Sequence, residues 1–268
     1  MPEGDVVWRV ARELHAALAG RVLTRSDFRV PRFATADLTG RKVRESVSSG
    51  KHLLIRVDGD VSIHTHLRMD GFWRISQARA YPPRDHRVRL VLANRQWQAV
   101  GYQLGIVELL PSSRERQVLG HLGPDLLAPD WDERSRAEAV RRLAAQPDRP
   151  VGEALLDQAN LAGLGNIYKT ESLFLAGVNP RAPIGHAGDL AALVELARQL
   201  LDANKESARQ ITTGNPARGH ETWVYRRAGR PCRRCGTPIK ADGYGRQGTA
   251  AMERITFWCP ACQPACQP

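Results

Sequence analysis

The chain changes its hydrophobic rhythm twice. Over residues 6–18 apolar side chains recur at helical spacing: Val7, Val10, Ala11, Leu14 and Leu18 share one face, and Gly20 ends the pattern. From residue 22 to about 110 the period drops to two. Residues 52–57 and 61–67 alternate polar and apolar positions, and Asp58-Gly59 between them signals a tight hairpin. Further strands are predicted at 72–75, 87–93, 96–100 and 106–110. Many short strands with no helices between them predict a sandwich of two antiparallel sheets.

After Pro111 the alternation stops and helical patterns return, over 133–145, 151–160, 166–176 and 189–205. The predicted class is α+β. A leading helix and sandwich occupy 1–122, a turn-rich hinge 123–131, a helical domain 132–222 and a small cysteine-bearing domain 223–268.

Charge narrows the partner. Lys and Arg number 39 against 28 Asp and Glu, a formal net charge of +11. The isoelectric point near 10.0 points to a polyanion, either nucleic acid or an anionic membrane surface. No apolar run is long enough to cross a bilayer, and the first residues lack a signal-peptide pattern, so an intracellular, cytoplasmic protein is expected. From Gly214 onward nine basic residues face three acidic ones.

All five cysteines follow residue 231. Cys232-x-x-Cys235 and Cys259-x-x-Cys262 form two close pairs, the spacing of a closed four-thiolate zinc site. One structural zinc is expected, ordering a basic hairpin too small to fold without it. Cys266 is left over, as a free thiol on the tail or as a substitute for Cys262.

Six other places carry candidate chemistry. A small residue in second place favours removal of Met1, leaving Pro2 as a terminal secondary amine. A terminal amine has a pKa of about 8, against about 10 for lysine, so part of it is unprotonated and nucleophilic at neutral pH. Glu3 beside it can move protons. Taken alone, the same residues fit a plain helix entry with Asp5 as N-cap. Lys51 follows Gly50 at a strand start, as a cleft cation or a solvated side chain. His66-Leu67-Arg68-Met69-Asp70-Gly71 ends a strand and turns. Met69 there is either a wedge between bases or a residue folded onto the core. His64 and His66 share one strand face and read as packed or hydrogen-bonded. Gly163 and Gly165 permit a sharp turn that presents backbone N–H groups at a helix start where Asn166 sits, a geometry suited to phosphate or to an ordinary helix corner. Arg254, five residues before Cys259, can grip a phosphate bidentately or simply face water.

These stretches together resemble the Fpg/Nei family of bifunctional DNA glycosylases. PEG, GKHLL, HLRMDG, LLDQANLAGLGNIY and CRRCG…FWCPACQ occur in the family's order along nearly the whole chain. The PEGD start and the short segment between Ala208 and Trp223 resemble the endonuclease VIII branch. Arg68-Met69-Asp70, where that branch typically reads Gln-Leu-Tyr, and GNIYKTESLF are closer to Fpg usage.

The resemblance implies a helix and sandwich facing a helix–two-turn–helix domain with a zinc finger, and double-stranded DNA carrying damaged bases or abasic sites between them. It implies Pro2 as nucleophile, Glu3 as general acid/base and Lys51 as the essential hairpin lysine. Asn166 and Arg254 become the phosphate pair and Met69 the wedge. The expected activity is excision of oxidised bases, mainly pyrimidines, with strand cleavage by a monomer that uses no membrane. The alternatives are oxidised-purine specificity, or a zinc-finger damage sensor without catalysis. Binding alone needs none of Pro2, Glu3 and Lys51.

Overall fold

The structure, a computed structural model, describes residues 2–79, 81, 83–243 and 255–265. Met1, Arg254 and Cys266 lie outside the described residues. The chain divides into two compact units, Met1–His121 and Leu122–Pro268.

The first unit opens with helix α1 (Gly4–Leu18), which starts two residues before the apolar rhythm does. Glu3 is its N-cap residue, in extended backbone. Asp5 is therefore not the cap: it lies inside the first turn and is buried, where the helix dipole favours an acid. Two four-stranded antiparallel sheets follow. One runs β1 (Arg25–Phe28), β6 (Val88–Ala93), β7 (Trp97–Tyr102), β5 (Phe72–Gln77). The other runs β2 (Val43–Ser49), β3 (His52–Val57), β4 (Val61–His66), β8 (Ile106–Pro111).

Leu53, Ile55 and Val57 of β3, Ile63 of β4 and Leu90 and Leu92 of β6 join Val7, Val10, Leu14 and Leu18 of α1 in one core. Each such side chain contributes about 1.5–3 kcal/mol on burial. The short helix α2 (Glu115–Leu119) completes the unit. It is pinned to the outer face of the second sheet, where Arg56 donates to both Glu115 oxygens at 2.7–3.2 Å and to Glu45 at 2.7 Å.

The second unit is helical: α3 (Glu133–Ala144), α4 (Val151–Leu156), α5 (Asn166–Leu175) and α6 (Leu190–Asn204). Asp132 and Asp189 cap α3 and α6, accepting from Ser135 N and Ala192 N at 2.8 and 3.0 Å. Helix α4 stops at Leu156, four residues short of the expected end. Asn160 Nδ2 takes the Ala154 carbonyl at 2.9 Å and Asp157 accepts from Ala159 N at 3.0 Å, so local side chains compete with the helix ladder. Residues 123–131, expected as a hinge, lie inside this unit. Leu126 is fully buried in its core, and Leu126 N donates to Ala162 O at 3.2 Å. The hairpin β9 (Lys240–Gly243) and β10 (Ile255–Trp258) pairs antiparallel after the first cysteine pair. Among the described residues no helix is long and apolar enough to cross a membrane.

Candidate active site and metal centre

In the first unit α1 and β2 run antiparallel. Gly20 N donates to Val43 O at 2.8 Å, and Ser46 N to His15 Nδ1 at 3.3 Å. From His15 back to Glu3 the helix covers about 18 Å, and five strand residues beyond Ser46 cover about 16 Å. The helix start therefore comes alongside position 51. Pro2 is half-buried there and Glu3 has no exposed surface.

Lys51 stands on a two-residue turn, Gly50-Lys51, closed by the pair Ser49 and His52. Gly50 has φ +56°, the left-handed conformation that glycine adopts without strain and that lets the hairpin close so tightly. The pairing of His52 with His66, and of His66 with Ile106, brings the 67–70 loop to the same end of the sheet. Arg68 there has φ +51°, and its stem packs so tightly on Gly105 that a Cβ at Gly105 would meet Arg68 Cδ at 2.4 Å. Met69 is 38% exposed, so it is not folded onto the core.

Behind these turns lies a histidine layer that strand alternation alone did not reveal. Glu108 Oε2 lies 3.0 Å from His64 Nδ1, which assigns the proton to Nδ1. His64 Nε2 then accepts from His52 Nδ1 at 2.8 Å. His52 stacks on His64 and meets His66 and His121 edge-on, with ring centroids 5.0–5.9 Å away. His66 Nδ1 accepts the Arg68 backbone N–H at 2.9 Å and so shapes the exposed loop. Burial, then the neighbouring His66, His64, His121 and Lys51, pushes the pKa of His52 down to about 3. Burial, then Lys51, Arg68 and His64, pushes that of His66 down to about 4. His52 and His66 are therefore neutral at physiological pH. His64 and His66 were expected to be packed or hydrogen-bonded, and they are. His52, His121 and Glu108 join them only through register.

In the second unit, Gly163 and Gly165 precede α5. Gly163 has φ +94°, and its N–H is held by Gln158 Oε1 at 3.1 Å. Gln158 Nε2 also ties Leu156 O and Leu164 O at 3.0 and 2.9 Å, so the turn is braced from inside. Asn166, at the first position of α5, is 3% exposed, and its Nδ2 donates to Ile255 O at 2.8 Å. Its Oδ1 is buried with no hydrogen-bond partner among the described residues.

Farther along α5 the fully buried Glu171 accepts from the backbone N–H groups of Trp223, Val224 and Tyr225 at 2.7–2.9 Å, and from Thr212 Oγ1. Burial raises its pKa, and the four donors oppose that rise. Glu171 thus ties the entry of the cysteine hairpin to the helix.

The Sγ atoms of Cys232, Cys235, Cys259 and Cys262 all lie within 4.8 Å of one another, with three of the pairs at 3.5–4.0 Å. A tetrahedral zinc with bonds of about 2.3 Å needs edges of about 3.8 Å, so the four sulfurs fit a metal ion of that size. Arg234 N and Cys262 N donate to Cys232 Sγ and Cys259 Sγ at 3.4 and 3.5 Å, which favours thiolates.

A helix-led β-sandwich joined to a helical unit with a four-cysteine hairpin is the fold of formamidopyrimidine-DNA glycosylase. A crystal structure of the Lactococcus lactis enzyme, described as non-covalently bound to DNA containing an AP site, superposes with a TM-score of 0.79, covering 98% of this chain and 100% of that one at 24% identity. The family models for the formamidopyrimidine-DNA glycosylase N-terminal domain and H2TH domain match residues 1–101 and 122–211. The chain belongs to the Fpg/Nei family. Among its relatives are "DNA-(apurinic or apyrimidinic site) lyase Nei2" of Mycolicibacterium smegmatis, 48% identical over 99% of this chain and 100% of that one. "Endonuclease 8 2" of Mycobacterium tuberculosis is 50% identical over 98% and 100%. "Formamidopyrimidine-DNA glycosylase" of Parasynechococcus marenigrum is 34% identical over 84% and 83%.

Proposed function

We propose that the protein is a base-excision-repair DNA glycosylase with AP lyase activity, acting mainly on oxidised pyrimidines in duplex DNA. What supports this reading is the strand register that sets the Lys51 turn and the Met69 loop at one end of the sheet, together with the antiparallel course of α1 along β2, which carries the helix start toward that end. A stacked base cannot be reached in the duplex, so the nucleotide is flipped out at a cost of a few kcal/mol, least for a poorly stacked lesion. Ring-saturated pyrimidines are non-planar and meet that condition. The exposed Met69 suits the gap left behind.

With Met1 removed, the Pro2 amine attacks C1′. The glycosidic bond breaks, the base leaves, and Glu3 supplies the proton for sugar-ring opening. The resulting iminium acidifies C2′–H. Loss of that proton expels the 3′ phosphate, and a second elimination on the 5′ side leaves a one-nucleotide gap. Lys51 supplies positive charge beside the phosphates. In the second unit the Gly163–Gly165 turn, Asn166 and Arg254 hold the backbone and set register.

The four cysteines hold one structural zinc, which orders the hairpin and takes no part in the reaction. One chain carries both the nucleophile and the phosphate grip, which supports a monomer working on cytoplasmic DNA.

Borohydride trapping tests this reading. Untagged protein, with its N-terminus verified as Pro2, should form a covalent adduct with duplexes carrying thymine glycol or dihydrouracil. A blocked N-terminus should abolish the adduct. No adduct with any lesion or abasic site would sink the enzyme reading and leave a DNA-binding sensor. The Arg68-Met69-Asp70 loop favours one second reading, Fpg-like purine specificity, which faster excision of 8-oxoguanine would establish.

A further inference from the structure

Lys169 has no exposed surface, and its Nζ lies 2.6 Å from Oγ1 of Thr256, itself 1% exposed. Burying an ammonium is costly, and an apolar side chain of similar length would fill the same place on a helix. Nothing in the proposed reaction uses this cation. Its position suggests what it does. Lys169 is one turn beyond Asn166 on α5, so the two side chains share a face. Thr256 directly follows Ile255 on β10.

The helix therefore holds this strand by two adjacent side-chain bonds, Asn166 Nδ2 to Ile255 O and Lys169 Nζ to Thr256 Oγ1. An asparagine amide has two N–H donors. Ile255 O takes one, which fixes the amide's orientation and leaves the other as a donor. If β10 shifted by a fraction of a residue, Ile255 O would move away and the amide would be free to rotate.

We infer that Lys169 is a positioning residue for the phosphate grip: by holding Thr256 it pins β10 and so aims the Asn166 amide. The inference rests on the reading of Asn166 as a phosphate donor. Lys169 need not touch DNA for this, because it acts through Thr256 and the Ile255 carbonyl. The arrangement also explains why the cation is paired with a strand hydroxyl and is not replaced by a methionine.

The test is a double-mutant cycle on the full-length protein, measuring affinity for a duplex with a tetrahydrofuran abasic analogue. Lys169→Met and Thr256→Val should each weaken binding about tenfold, the scale of one charge-assisted hydrogen bond. Metal content should stay near that of the parent in both, and the melting temperature should stay near it in Lys169→Met, which removes the buried charge. Asn166→Ala should weaken binding as well, and adding Lys169→Met to it should change affinity less than about twofold. Lys169→Arg, which keeps a donor, should recover part of the loss.

Multiplying effects of Lys169→Met and Asn166→Ala would overturn the inference and leave a lysine that only stabilises the hairpin. Parent-like binding by Lys169→Met would overturn it too. If Asn166→Ala itself binds like the parent, the phosphate reading of Asn166 fails and takes the inference with it. Should Lys169→Met not fold, Thr256→Val carries the same cycle.

Discussion

Lys51 and Met69 stand on turns at the ends of strands whose buried faces pack into one mainly apolar core. Asn166 stands on a helix in which every residue from Asn166 to Phe174 is buried, including a lysine, a glutamate and an asparagine. The first unit presents its candidate residues by strand register over an oily core. The second presents them by side-chain hydrogen bonds around one short helix, backed by a four-cysteine cluster. A core of leucine and valine tolerates small changes of volume because burial energy is non-directional. A buried polar hub does not tolerate loss of one partner, because each orphaned group keeps its full desolvation cost.

Metal removal should separate the two units most sharply. Chelation, or Cys259→Ser, should unfold the cysteine hairpin and abolish DNA binding, since structural zinc supplies about 10–16 kcal/mol to such small domains. The melting transition of the sandwich should persist. Loss of both transitions together in calorimetry would show that the units are not energetically distinct.

Glu171→Ala comes next. It strands three buried backbone N–H groups and the Thr212 hydroxyl, and should cost roughly 3–5 kcal/mol in urea unfolding of the second unit. A cost below about 1 kcal/mol would mean that water reaches the hub.

Acid should affect the first unit more mildly. The folded pKa values of His52 and His66 lie below the ordinary 6.5, at about 3 and about 4. The stability linked to them is fully present above pH 6.5. Below that pH the unfolded chain binds protons that the folded chain refuses, so stability falls toward pH 4. After discounting for the solvent that still reaches both rings, the loss should be on the order of 1–2 kcal/mol. Thermal melts between pH 7.5 and 4.5 should show it, and His52→Asn should flatten the profile. Ile55→Val should be the smallest change, at about 0.5–1.5 kcal/mol, with trapping activity intact.

Much of the fold was legible before any coordinates. The apolar face of α1, the alternation at 52–57 and 61–67 and the paired cysteines are local patterns, and local patterns survive in one dimension. Strands β1 and β2 were not separately recognised, because Arg25–Phe28 and Val43–Ser49 are mostly polar and become strands by pairing with β6 and β3. The end of α4 was misjudged because Asn160 and Asp157 satisfy backbone groups that a longer helix would have used. The glycines before Asn166 marked the turn, yet the Gln158 brace inside it carried no periodic signal.

Sequence by itself determined the order of elements, the metal-ligand spacing and the residue types available for chemistry at Pro2, Glu3, Lys51 and Asn166. Those depend on covalent neighbours and on the two periods of helix and strand. Tertiary structure alone decided that His52, His64, His66, His121 and Glu108 share one layer, that Glu171 gathers the hairpin entry, and that Lys169 lies buried against Thr256. Each of these joins residues 12 to 87 positions apart. Cross-strand register and helix packing set such meetings, and neither is written in any local window of the chain.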